Sequence, residues 1–232
     1  MCTPGLVYHV DHCIGGVSLN VRILMLLSFC LPVVVFAADR IDIGRFSAGS
    51  LEGWTSKSFV GETEYSIVEQ DGRVVLLANS VGSASVLGRK IKIDLTKTPY
   101  VNWSWKVERG LPKMDETAKS GDDFAARLYF VKSGGIAIWN TKALNYVWAG
   151  SQLRDTSWPN AFEPDNSIMH AVRGSWDPTG VWKEEKRNVR EDFKKSFGKD
   201  IKSINAVAIM TDTDNTGLRA RAVYGDIYFS AN

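Results

Sequence analysis

The stretch SGDDFAARLYFV, residues 120–131, sets two adjacent carboxylates and an arginine at the mouth of an apolar run. Asp122 and Asp123 accept hydrogen bonds from hydroxyls, and Arg127 offers a planar fork of N–H donors. That pairing suits a hydroxyl-rich ligand such as a glycan. It also suits a carboxylate hydrolase or lyase, which needs an acid and a base roughly 5–10 Å apart across the bond to be broken. Asp122, Asp123, Asp212, Asp214 and Glu108 are the residues able to supply such a pair. If DFAARLYFV (123–131) is a strand, Phe124, Ala126, Leu128 and Phe130 share the apolar face, while Asp123, Arg127 and Tyr129 share the other. Asp123 and Arg127 then lie roughly 13 Å apart along the strand, too far to pair with each other. Their partners must come from neighbouring strands, which makes them structural, or from a ligand.

Aromatic residues supply the second set of candidates. LNYVWAG (144–150) places Tyr146 and Trp148 on one face of a strand and runs into an irregular segment, 149–167, that carries Trp158. Aromatics beside loops are where ligands are commonly held, so Tyr146, Trp148 and Trp158 are the expected wall of a groove whose polar floor is Asp123, Arg127 and Tyr129. Trp103 and Trp105 of WSW either fill the core or make a sugar-stacking platform. TDTDNTG (211–217) spaces Asp212, Asp214, Thr216 and Gly217 like part of a calcium loop, but Val223 stands where the bidentate Glu belongs. Calcium at Asp212 and Asp214 competes there with a turn bonded to its own backbone.

The elements that must position these residues are short runs of period-two alternation separated by Gly, Asp, Asn and Pro clusters. Strands are expected over 73–79, 88–95, 100–108, 123–131, 204–211 and 222–230, with a polar loop over 110–123. In 100–108, Val101, Trp103, Trp105 and Val107 fall on one face. One helix is expected over 188–198, with Asn188 as N-cap, Val189, Phe193 and Phe197 on one stripe, and Gly198 as the stop. The pattern predicts an all-β, jelly-roll-type antiparallel sandwich with one capping helix.

Residues 1–38 read as a leader and signal peptide: Arg22 is the positive n-region, Ile23 to Phe36 the apolar h-region, and Val35-Phe36-Ala37 the cleavage site. The lead before Arg22 is long, and translation starting near 21–25 fits the pattern better. Removing 1–38 takes Cys2, Cys13, Cys30, His9 and His12 with it. The single domain left, 39–232, has no cysteine and one histidine, His170, which excludes disulfides, thiolate catalysis and poly-His metal sites. A Ser-His-Asp hydrolase would have to use His170, but no Gly-x-Ser-x-Gly elbow accompanies it, and a structural histidine is the expected reading. The expected address is periplasmic or secreted, and the domain does not span the membrane once the signal is removed. With a net charge of +2 and no long basic block, nucleic acid is not an expected partner.

WSWKVE, GDDFAARLYFV, LNYVWAG, EEKRNVREDF, AIMTDTDNTG and AVYGDIYF, in this order, resemble a bacterial exported family known as domain of unknown function 3047, over roughly residues 45 to 230. That family carries over no established activity. FSAGSLEGWTSKSF (46–59) with the closing GDIYF resembles galactose-binding-like jelly-roll carbohydrate-binding modules, and this resemblance implies glycan binding and a structural calcium. A non-catalytic binding module for a glycan or hydroxylated envelope component is the leading expectation. A carboxylate polysaccharide hydrolase or lyase and a structural envelope protein are the alternatives.

Overall fold

A computed structural model describes residues 40–137 and 140–232; the leader expected over 1–38 lies outside them. The strands are β1 (Arg40–Gly44), β2 (Trp54–Val60), β3 (Glu64–Gln70), β4 (Arg73–Val81), β5 (Ala84–Asp94), β6 (Tyr100–Arg109) and β7 (Arg127–Lys132). They continue as β8 (Lys142–Ala149), β9 (Ser157–Pro159), β10 (Ser167–Gly174), β11 (Lys183–Asn188), β12 (Ser203–Met210), β13 (Arg219–Tyr224) and β14 (Ile227–Ser230). The helix α1 spans Val189–Phe197. Together they form the expected two-sheet β-sandwich with one helix.

In the first sheet, β6 is the hinge of the arrangement. Its Tyr100–Trp105 half pairs with β11 on one flank. On the other flank β14 and then β13 pair with it in succession. Between them the Gly225 N–H donates to Ser104 O at 2.9 Å. A Cβ at Gly225 would collide with the Ser104 hydroxyl as it stands, so glycine lets the chain cross there without displacing that side chain. The strand expected over 222–230 is for this reason broken into β13 and β14. The second sheet runs β2-β5-β12-β7-β8-β10-β9. All its pairs are antiparallel except β8 with β10, which run parallel. The segment between them returns along the sheet and places the short β9 on the free side of β10.

The alternation read in β6 decides the core. Val101, Trp103, Trp105 and Val107 all turn inward and are buried. Trp103 stacks on Tyr146 of β8 at 5.5 Å and 9°, and Trp105 meets Trp148 edge-on at 5.9 Å. Phe130 of β7 packs edge-on against Tyr146 and Phe229. This aromatic ladder joins the two sheets, each ring contributing roughly 1.5–3 kcal/mol by burial. At the helix, Asn188 accepts from the Glu191 N–H at 3.1 Å and Gly198 closes the last turn at φ 65°. The buried Asp192 of α1 takes the Tyr146 hydroxyl at 2.8 Å, so the helix is pinned to the ladder.

Charge pairs close the side of the sandwich where β10 and β11 meet. Arg173 bonds Glu185 at 2.5 Å, and Arg187 bonds Asp155 at 3.0 Å and Asp192 at 2.9 Å. Asp177 gathers Arg154, Arg173 and Lys183 at 3.1–3.6 Å.

Candidate functional site

The strand carrying Arg127 begins at that residue and not at Asp123. Leu128 and Phe130 face the core as alternation requires, while Arg127 and Tyr129 lie on the outer face of the second sheet. Phe124, expected on the core face, instead packs outside with Trp158, Val147, Met169, Ala149 and Ala171. The chain leaves the pleat before Arg127 because Asp123 is recruited elsewhere. Its carboxylate accepts from Asn215 N and Nδ2 at 3.2 and 3.1 Å, and from Thr216 N and Oγ1 at 2.9 and 2.6 Å. Asp123 therefore organises the 214–217 turn.

Arg127 is buried. Its Nη2 donates to Asp212 Oδ2 at 2.6 Å and to Asp122 O at 3.1 Å, and its Nη1 to the Tyr129 hydroxyl at 2.7 Å. The guanidinium lies over Phe124 at 4.4 Å. Asp122 in turn takes Asn160 Nδ2 at 2.9 Å. The expected polar floor is thus an internal cluster roofed by the 110–126 and 150–166 segments. The aromatic wall needs a larger correction. Tyr146 and Trp148 face the core as rungs of the ladder, because the face of β8 that carries them is the inward one. Trp158 is buried beneath its own loop, with Nε1 donating to Glu116 O at 3.1 Å.

Asp123, Asp212 and Asp214 bring carboxylate oxygens within 4.8 Å of one another, so the two aspartates expected to bind calcium do gather, and with a third. The donor set fits an ion poorly. Asp123 already accepts four hydrogen bonds and Asp212 is paired to Arg127, which leaves Asp214, with a single long contact from Asn215 Nδ2, as the least engaged ligand. Hydrogen bonds from the 215–216 segment to Asp123, and from Arg127 and the Phe124 N–H to Asp212, account for these two carboxylates.

What does open to solvent is a cavity of about 340 Å³ at this end of the sandwich, lined by Leu111, Asp123, Ala125, Trp148, Gly150 and Asp177. Ser175 and Thr179 add exposed hydroxyls to its rim. One wall is held by Glu116, a buried carboxylate that accepts from the backbone N–H groups of Gly150, Ser151 and Gln152. Trp148 alone of the expected aromatic wall reaches this cavity, edging into it from the core at 5% exposure. Glu116, Ser175, Asp177 and Thr179 were not expected from sequence.

The family model described as "Protein of unknown function (DUF3047)" matches residues 52–228. The chain belongs to this family. No curated protein matches the DUF3047 chain. Among solved structures it is similar to a family 11 carbohydrate-binding module from Clostridium thermocellum in complex with a β-1,3-1,4-mixed-linked tetrasaccharide, at 11% identity, 84% of this chain, 96% of that one and TM-score 0.46. It is also similar to a cellulase derived from the Cel12A cellulase of Rhodothermus marinus, at 12% identity, 82% and 99% coverage and TM-score 0.47. A xylan-binding module matches at 12% identity, 84% and 97% coverage and TM-score 0.35.

The buried acids give the DUF3047 domain a pH signature. Burial pushes the carboxyls of Asp122, Asp212, Asp214 and Glu116 above their usual range, with Arg127 pulling all four down only in part. Such groups hold protons more tightly folded than unfolded, so stability falls as pH rises from about 4 through their raised values. Asp71, held low by Lys106, and Asp200, held low by Arg190, act in the opposite sense and lose their contribution as pH falls below about 4. Thermal denaturation across pH 3–8 is expected to show a maximum in the mildly acidic range. Asp122→Asn should flatten the arm above the maximum; an unchanged arm would contradict the assignment.

Proposed function

We propose that this chain is an exported module that binds, and at its binding cavity does not cleave, a glycan or another hydroxylated envelope component, and that its ligand occupies the cavity of about 340 Å³ beside Trp148. The observation that carries this reading is the cavity's composition. An indole edge and the side chains of Leu111 and Ala125 supply apolar surface, and Ser175 and Thr179 supply hydroxyls at the rim beside the Asp177 carboxylate. The volume falls in the range of small-ligand sites, roughly 300–1,000 Å³, and the chemistry matches a ring whose faces are apolar and whose edges carry hydroxyls.

Binding is favoured over cleavage by the state of the carboxylates. Asp123 accepts four hydrogen bonds, and Asp177 is surrounded by Arg154, Arg173 and Lys183. Glycosidic cleavage requires one carboxyl that retains a proton for the leaving oxygen. Asp122, Asp212 and Glu116, whose carboxyls burial shifts toward the protonated form, are engaged by Asn160, Arg127 and the 150–152 N–H groups. Glu108, another of the sequence candidates, is tied to Lys106 and Arg221 on β6 and β13.

Export is part of the proposal. Its support is the charged, apolar and small-residue succession from Arg22 to Ala37 and a downstream chain without cysteine. Protein recovered from a periplasmic fraction should begin near residue 39. Among the described residues no helix is long and apolar enough to cross a membrane.

Titration of the purified protein with a broad glycan panel is expected to shift its tryptophan fluorescence and raise its melting temperature. Thr179→Trp, an exposed rim substitution that fills the cavity, should weaken that binding at least tenfold while leaving the melting temperature of the free protein unchanged. Silence across the panel, or undiminished binding by the filled variant, sinks the proposal.

A further inference from the structure

A second chemistry-bearing constellation lies outside the cavity, on the edge of the second sheet. Ser157 of β9 and His170 of β10 are directly opposed in the antiparallel register. The Ser157 hydroxyl lies 2.7 Å from His170 Nδ1. On the far side of the ring, Nε2 is buried without a hydrogen-bond partner, with Asp155 Oδ1 at 3.5 Å. Placing the ring proton on Nε2, toward that carboxylate, leaves Nδ1 free to accept the serine proton. Asp155 is itself fixed. Its backbone takes φ 61°, unusual for a residue with a side chain, its N–H is bonded to Ala171 O at 2.8 Å, and Arg187 Nη1 holds its carboxylate at 3.0 Å. Ser157 is exposed, whereas His170 is buried under it against Tyr146.

We propose that Ser157, His170 and Asp155 form a nucleophilic triad that cleaves small O-acyl esters. This activity would be separate from the binding cavity and independent of what that cavity holds. The distances match what a nucleophile and its base require, with the looser third contact usual in a site without substrate. The ring nitrogens face the reverse way from the familiar serine-protease arrangement, but the roles are preserved. Ser157 Oγ attacks the ester carbonyl carbon as its proton passes to His170 Nδ1. The tetrahedral intermediate expels the alcohol, which takes that proton. Water then attacks the acyl-serine with His170 again as base, releasing the carboxylic acid and restoring the serine. The sum is ester plus water giving acid plus alcohol, with no other reactant. The exposed edge strand offers no deep acyl pocket to bind a long chain, so the expected substrates carry small acyl groups such as acetyl, which need none.

The groups facing His170 are Arg187, Asp192, Asp155 and Tyr146. Burial, and then Arg187, hold the imidazole below its usual range, so it is neutral and able to act as a base at neutral pH. Asp155 is a positioning residue that pulls in the opposite direction.

The test uses the full chain with p-nitrophenyl acetate and a fluorophosphonate probe. One fluorophosphonate adduct is expected, located on Ser157 by peptide mass spectrometry, along with ester hydrolysis that Ser157→Ala abolishes. Because Ser157 is exposed, this variant should fold normally. His170→Gln, with folding checked by circular dichroism, is expected to slow labelling about 10²–10⁴-fold, the usual contribution of a general base. Asp155→Asn should move the rising limb of the labelling pH profile to lower pH, a shift that a purely structural role would not produce. No adduct on Ser157, equal hydrolysis by Ser157→Ala, or undiminished labelling in folded His170→Gln overturns the proposal.

Discussion

Replacing Arg127 with leucine is expected to destabilise the domain by about 3–5 kcal/mol, the usual cost of stranding a buried charge. That loss lowers the melting temperature by roughly 10 °C for a domain of this size. Both partners in the Arg127–Asp212 pair are almost wholly withdrawn from solvent. Asp122, Asp123 and Asp214 lie close enough that each raises the cost of keeping Asp212 ionised. Removing the single guanidinium leaves those carboxylates without a counter-charge. The Tyr129 hydroxyl and the Asp122 carbonyl also lose their donor. The cost belongs to the orphaned partner and not to the pair, so Arg127→Leu combined with Asp212→Leu should recover most of the loss. Urea denaturation of the two single variants and the double variant checks this. A double variant as unstable as Arg127→Leu would show that the arginine acts through other contacts.

The second large effect is expected at Glu116. Changing it to leucine removes the acceptor for three consecutive backbone N–H groups, those of Gly150, Ser151 and Gln152. An unsatisfied buried donor costs about 1–3 kcal/mol. Ser151 lies at the surface and can rehydrate, so a total of about 2–4 kcal/mol is expected. The consequence for function is sharper than that for stability. The 150–152 segment is a wall of the cavity, and without its anchor amide exchange there should accelerate and glycan affinity fall. Glu116→Gln keeps one acceptor oxygen and should fall between the two. Hydrogen exchange at 150–152 that is unchanged in Glu116→Leu would remove Glu116 from the site.

These two residues also mark where sequence reading stopped. Elements governed by local period were legible: the inward Val101, Trp103, Trp105 and Val107 of β6, and α1 with its Asn188 cap and Gly198 stop, are as the pattern requires. Asp123 misled because its partners are Asn215 and Thr216, some ninety residues on, and a non-local hydrogen-bond set overrode the strand alternation that DFAARLYFV displays. Tyr146 and Trp148 were correctly placed on one face, but period two does not say which face a sheet turns inward. Only the Trp103 and Trp105 rings opposite them decide that. Glu116 and Asp177 sit in segments with no period at all. Ser157 and His170 met because the 149–167 loop contains β9, three residues too short to be seen as a strand beforehand. The break at Gly225 did have a signal, a glycine followed by aspartate within an apolar run.

The ion pairs joining β10 and β11 have a consequence beyond closing the sandwich. β11 is an outer strand of its sheet, and the sequence KEEKRN makes every residue along it charged or polar. An unpaired strand edge invites another chain's strand to add to it, and a row of charges is a deterrent, because an incoming apolar strand would bury those charges without partners. Lys183, Glu185 and Arg187, engaged with Asp177, Arg173 and Asp155, are also unavailable to such an intruder. The residues that hold the two sheets together on this side therefore also guard the molecule against edge-to-edge aggregation. Neutralising them should first appear as lost solubility, before the fold itself gives way.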